Sequence, residues 1–292
     1  MQKIGLKQHS KLTSVHAASG LIKLRNTFYM IADDQLSLAV FTLNNTDSIQ
    51  FFKLRPGELP EDHSERKKLK PDWESLVCLY STDDTDTLLI LPSGSKPNRT
   101  LGVIVNINDR ESPAAKKIDF SLLYAHLEKK FSDLNIEGAV VAGSALKIFQ
   151  RGNGASRQNA IIDLDLKGLI ADIQDSGIIS ANRILKTTDY DLGIFENVQL
   201  SFTDACFCND QLFFIAAAEN SDSTYDDGKY LGAVLGCIDN SGKIIFQKEL
   251  LCEHKPEGLL VEHNTDHYIM YVVTDADNPE IASSLYIGEF KV

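Results

Sequence analysis

The feature that most constrains this chain is a fivefold recurrence. A small or acidic residue, then Gly, Ser or Ala, then an apolar strand appears at Ser19-Gly20-Leu21, Glu74-Ser75-Leu76, Glu137-Gly138-Ala139, Asp204-Ala205-Cys206 and Glu257-Gly258-Leu259. Successive anchors lie 55, 63, 67 and 53 residues apart. Each is followed by a second apolar run, at Thr27 to Ile31, Leu88 to Leu91, Leu146 to Phe149, Leu212 to Ala217 and Tyr268 to Val273. Each second run ends in polar turn residues such as Asp33-Asp34, Arg151-Gly152-Asn153-Gly154 or Glu219-Asn220-Ser221-Asp222, and a third apolar run follows. Four units add a fourth, at Ile49 to Leu54, Lys117 to Phe120, Arg183 to Thr187 and Ile244 to Gln247. Short β-rich runs punctuated by Gly, Asn, Asp and Pro are strands. A repeating unit of four strands is the mark of a propeller blade. The fold expected is therefore all-β, a β-propeller of five blades with six as the alternative, in a single domain over 1–292.

The last unit reaches Val292 after its third strand, which would leave an open edge. Edges invite pairing with other chains, so an N-terminal strand at Lys3 to Gln8 is expected to close the ring. A ring closed in this way has no free edge and is expected to be monomeric. Two stretches depart from the strand pattern. Leu122, Leu123, Ala125, His126, Leu127 and Phe131 recur at three and four spacing, which predicts a short helix over 120–131, and a second helical turn is expected over 166–173.

With 29 Lys and Arg against 41 Asp and Glu, the chain carries a net charge of −12. This excludes a phosphate-backbone partner, which needs clustered basic residues, and it disfavours anionic membranes. The five cysteines are odd in number and lie mostly within apolar runs, so they read as reduced. The opening residues lack the apolar core of an export signal, and a cytoplasmic location is the expectation.

In a blade the start of the first strand and the end of the second lie at the same end of a hairpin. Five anchors and five turns thus meet at one mouth of the ring. The carboxylates expected there as cation ligands are Asp33, Glu74, Glu137, Asp204 and Glu257, joined by Asn98, Arg99, Arg151, Asn153 and Arg157 as substrate-binding residues. Crowded carboxylates raise one another's pKa unless something offsets them. A hard cation, Ca²⁺ or Mg²⁺, suits oxygen donors without a His or Cys cluster. The arginines could instead pair with the carboxylates or hold a small anionic molecule. A plainer reading also stands, in which the anchors tie each blade to the next. No zinc-protease, dithiol, nucleophile-elbow or complete P-loop pattern is present. Of the histidines, only His16 and His263 fall near inner strands, while His9, His63, His126, His254 and His267 read as surface or packing residues; Trp73 reads as core.

Lys70-Pro71-Asp72-Trp73-Glu74-Ser75-Leu76, Ser93-Gly94-Ser95-Lys96-Pro97-Asn98-Arg99, Ile136-Glu137-Gly138-Ala139 and Lys255-Pro256-Glu257-Gly258-Leu259 together resemble a family of uncharacterised bacterial propellers. That family is akin to the phytase-like group labelled for esterase-like activity, and more distantly to gluconolactonase-like propellers. The resemblance spans nearly the whole chain. It implies an axial polar pocket holding Glu74, Asn98, Arg99, Glu137 and Glu257, and a metal-dependent hydrolase of a small anionic ester, phosphoester or lactone. The competing expectation is a propeller that binds a ligand or a protein without chemistry.

Overall fold

The computed structural model describes residues 1–108, 111–220 and 228–292, with the side chains of His63, Glu111 and Ser112 also outside the description, so the expectations for Ser221, Asp222 and the His63 side chain fall beyond it. Five antiparallel sheets form five blades of a propeller. Their inner strands are Ala18–Leu24, Trp73–Ser81, Ile136–Ala142, Val198–Cys208 and Lys255–Asn264, in blades 1 to 5. In blades 1 to 4 the next strands in sequence pair outward one after another, and blade 5 does so for its first three strands.

Hydrophobic burial drives this arrangement, because one sheet face cannot be covered within a blade. The buried side chains separate into five clusters, one in each gap between neighbouring blades. Phe28 and Tyr271 meet edge to face between blades 1 and 5, and Phe149 and Phe202 do so between blades 3 and 4, with centroids 5.2 Å apart in each pair. Such geometry adds to what area burial alone contributes.

The N-terminal segment closes the ring, with its boundary shifted from the expected one. Lys7–Lys11 pairs antiparallel with Ser284–Phe290 as the outer strand of blade 5. Lys3–Gly5 instead runs parallel to the outer strand of blade 4, matching Lys3 to Glu249 and Gly5 to Leu251. One segment thus covers two neighbouring edges, a split that no strand pattern within residues 3–8 signals.

Among the described residues three short α-helices interrupt the strands: α1 (His63–Leu69), α2 (Ser121–Leu127) and α3 (Leu166–Asp175). The last two match the periodicity, although α3 lies inside blade 3, between its third and fourth strands. Helix α1 falls in a basic stretch, with Arg66, Lys67 and Lys68 in its last turn, that shows no apolar periodicity. Its start is set by Asp62, whose carboxylate accepts from the Glu65 N–H at 2.9 Å, a capping contact whose signal lies in three residues rather than in a hydrophobic stripe. Among the described residues no helix is long and apolar enough to cross a membrane. All five cysteines are free.

The inner strands share one irregularity. In every blade the register slips at the same place, leaving Ser19, Glu74, Glu137, Thr203 and Glu257 as the extra residue of a β-bulge. A bulge re-aims its side chain and bends its strand. The following residue is small in four blades because the next inner strand comes close. A Cβ on Gly20 would lie 3.0 Å from the Leu76 N, and one on Gly258 would lie 3.2 Å from the Leu21 N.

Where the bulged residue carries a hydroxyl, it ties its blade to the next. Ser19 Oγ donates to the Trp73 carbonyl and Thr203 Oγ1 to the Pro256 carbonyl, each at 2.7 Å and each to the residue just before the neighbour's bulge. Ser19→Ala and Thr203→Ala should each lower unfolding free energy by about 1 kcal/mol, since each leaves a buried carbonyl without its donor. Urea denaturation of the two variants checks this, and an unchanged midpoint in both would refute the tie.

Candidate functional site

The other three blades place glutamates at the bulge, and Glu74, Glu137 and Glu257 all line one pocket on the ring axis. The residue two positions before the bulge also lines it in four blades, namely Ala17, Asp72, Asn135 and Lys255. The end of one second strand contributes Asp275, and the segments that follow second strands contribute Asp33, Arg151, Asn153 and Asp277. The cavity has a volume of about 70 Å³ and a wall that is almost wholly polar. Seven carboxylates and five cationic side chains line it.

The charges are arranged as two networks. In the first, the Lys70 ammonium contacts Asp33 and lies 3.0 Å from Asp72 Oδ1. Asp72 Oδ2 accepts from Arg99 Nη1 at 2.7 Å, from Ser95 Oγ at 3.1 Å and from Ser93 Oγ. Asp72 has a φ of 58°, in the left-handed region that Asp tolerates better than most residues, and this turns the chain between Lys70 and the strand. Arg99 Nη2 also donates to the Lys67 carbonyl at 3.0 Å, and Arg66 pairs with Asp34 at 3.1 Å, so α1 is pinned beside the pocket.

In the second network Arg151 bridges Glu137 at 3.1 Å and Glu219 at 2.7 Å. Lys255 is bound by Glu219, Glu257 and Asp277 at 3.0, 2.9 and 2.9 Å. Asn135 Nδ2 donates to Glu137 at 2.6 Å. Both guanidiniums have their terminal nitrogens committed to groups of the protein itself.

Glu74 stands apart. It carries no hydrogen bond and no ion pair among the described residues, while Glu137 and Glu257 each touch a cation. Burial pushes its carboxyl well above the usual range, and the neighbouring Glu137, Asp72 and Asp33 push it further. Burial would also raise Asp72, but Lys70 and Arg99 hold it below its ordinary value. Asp33 is raised to about 6, chiefly by burial against the pull of Lys70. Asp275 is raised to about 8, again by burial, with Lys255 opposing and Asp277 and Asp33 adding. Burial raises Glu137 and Glu257 as well, the latter strongly.

Of the residues expected from the sequence, Asp33, Glu74, Glu137, Glu257, Arg99, Arg151 and Asn153 come together here. Asp204 does not line the pocket. Thr203, one residue earlier, occupies the bulge, so Asp204 falls at the position of Gly20 and Gly258 and accepts from the Leu259 N–H of blade 5 at 2.7 Å. Asn98 is exposed and donates to the Lys68 carbonyl, and Arg157 lines a separate groove with Asn197 and Gln199. His16 borders an adjoining cleft, whereas His263 packs against Tyr268 near the opposite end of its strand. Trp73 is core, as expected. Asp72, Lys70 and Lys255 were missed as site residues. For Asp72 and Lys255 the signal is position, each standing two residues before a recurring anchor, whereas Lys70 sits outside the strand at the end of α1.

Residues 14–289 match the family described as Family of unknown function (DUF6929). The chain belongs to that family. A search of curated proteins finds no match. Among solved structures, this DUF6929 chain is similar to the α-L-arabinofuranosidase PaAbf62A from Podospora anserina, crystallised with cellotriose. The two share 7% identity with a TM-score of 0.54, covering 99% of this chain and 96% of that one. The arabinanase Arb43A from Bacillus subtilis has 11% identity and a TM-score of 0.46, covering 96% and 95%. At such identities the likeness of the first shows the propeller fold and nothing of its chemistry.

The raised carboxyls make stability depend on pH. Asp275 has an ordinary value of 3.8 and a folded value of about 8, so between these the native state holds a proton that the unfolded chain has lost. Stability must then fall as pH rises through that window. The urea midpoint should decline from about pH 5 to 8, and Asp275→Asn should flatten the decline. A midpoint that rises over this range in the wild type would contradict the assignment.

Proposed function

We propose that the axial pocket is the catalytic site of a hydrolase that cleaves a small polar substrate by carboxylate acid–base chemistry. The observation that carries this reading is the contrast between Glu74 and Asp72, carboxyls with oxygens within 4.8 Å of each other and of Asp33. One is pushed up and the other held down. Environments that drive neighbouring carboxyls apart are how one fold supplies both an acid and a fixed charge. Glu74, neutral and without a partner, would donate its proton to the leaving group. Asp72, saturated by Arg99, Ser93, Ser95 and Lys70, would remain a fixed negative charge. Asp33, with a value of about 6, is suited to take the proton from the attacking water.

The substrate class follows from what the pocket has left to offer. Because Arg99 and Arg151 are already engaged, the anionic ester or phosphoester implied by the phytase-like resemblance is the weaker form of this reading. Neutral esters, lactones and glycosides fit better. The arabinofuranosidase named above, built on the same fold, motivates including glycosides. A second reading keeps the divalent cation. Asp33, Asp72 and Glu74 supply only oxygen donors, the set that suits Ca²⁺ or Mg²⁺, with Lys70 as a competitor on two of them. Bound there, such an ion would polarise the scissile group.

The test is turnover of nitrophenyl glycosides, carboxyesters, lactones and phosphomonoesters by the purified protein, with EDTA and with added Ca²⁺ or Mg²⁺. One neutral class should be hydrolysed, and Glu74→Gln should lose about 10²–10⁴-fold in kcat while its melting temperature is maintained. No turnover across the panel would favour a binding scaffold, and full activity in Glu74→Gln would remove the assigned acid. Loss of turnover with EDTA would favour the metal reading.

A further inference from the structure

Lys255 and Lys70 show what this pocket binds best. One ammonium is held by three carboxylates and the other by two. After those pairs are made, carboxyl groups with no cation of their own are left over. Carboxylates outnumber cationic side chains seven to five in the lining, and Glu219 stands behind as a further acid. The surplus is localised. Among the described residues Glu74 has no hydrogen-bond or ion-pair partner, and the Asp275 carboxylate accepts only from the backbone N–H of Asp277, at 2.8 Å. Glu257 is 6% exposed and lines the cavity, yet its Oε2 has no hydrogen-bond partner. A buried acceptor left unmade is costly, and one on an ionised group more so.

We infer that the axial pocket is shaped for a ligand carrying a protonated amine, with the ammonium seated among Glu74, Glu257 Oε2 and Asp275. This rests on the reading of the pocket as a substrate site and names the chemistry that the substrate brings. The acceptors line one pocket from blades 2 and 5, and Lys255 shows that carboxylates of this pocket take up an ammonium. The volume agrees. About 70 Å³ holds a charged head group and its first atoms rather than a whole sugar ring. The remainder of the ligand has room in an adjoining cavity of about 60 Å³ that shares Asp33 and Asp275 with the first and is walled by Ala17 and Pro279. Anions are disfavoured by the same surplus. A divalent cation is the other bearer of positive charge, but Lys70 already occupies two of the three carboxylates grouped closely enough to hold one.

Titration calorimetry and thermal shift with matched pairs test the inference on the full chain: ethanolamine against ethylene glycol, glucosamine against glucose, with CaCl₂ and MgCl₂ as separate arms. At least one amine should bind about tenfold or more tightly than its hydroxyl counterpart, since hydrogen bonds to charged groups are the strong ones. Glu257→Gln and Glu74→Gln should each reduce that preference while the protein stays folded. Equal binding of amine and hydroxyl partners would overturn the inference, as would saturable binding of Ca²⁺ or Mg²⁺ with no response to any amine. Amine binding without hydrolysis of any substrate would leave it standing and remove the hydrolase reading. Hydrolysis of neutral substrates with no preference for amines would do the reverse.

Discussion

Every later feature of this protein depends on one backbone irregularity, the bulge placed at the same register in all five inner strands. An inner strand sits where blades crowd most closely, and a regular ladder would point alternate side chains into the flanking blades. The extra residue turns one side chain toward the axis and leaves room for the neighbouring strand to approach the small residue that follows. Two blades spend this position on a hydroxyl that ties the ring together, and three spend it on a glutamate. The pocket is therefore the place where the ring's pseudo-symmetry is broken.

Electrostatics then does what geometry alone cannot. Bringing so many carboxylates into a cavity of this size is tolerable only because ammonium and guanidinium groups from three blades are interleaved with them. The balance is uneven. Arg151 and Lys255 neutralise several of the acids, whereas Glu74 and Asp275 make no ion pair among the described residues, and burial raises both. Such unevenness is a cost to folding that a purely structural network would have no reason to retain. It is the common root of the proton donor assigned to Glu74 and of the preference for a cationic ligand.

Much of the architecture was legible along the chain. The five anchors, the runs that follow them and the closing N-terminal segment are local patterns, and each strand forms where alternating apolar residues meet turn residues. The closing strand was displaced because its partner is chosen by which edge lies open in space. Helix α1 was missed because a seven-residue helix is marginal by itself, and this one is stabilised by the Asp62 cap and by contacts of Arg66 and Lys67 with distant loops. Asp204 was placed in the pocket because an acidic residue before a small one looks the same whether or not the bulge falls one residue earlier. Asn98 and Arg157 were drawn in by their motifs, yet their loops carry them outward.

What the amino-acid order determined unaided is the ring: strand length, blade count and the polar character of one mouth follow from side-chain period and turn chemistry, which act over a few residues. What only the tertiary structure decided is which charges meet. Lys255 finds Glu219, and Arg99 finds Asp72, across separations of tens of residues, and whether a carboxyl ends paired or alone is a matter of single ångströms. Coulomb energies and burial change steeply over such distances, so the chemistry of the pocket could be located from the sequence but not apportioned among its residues.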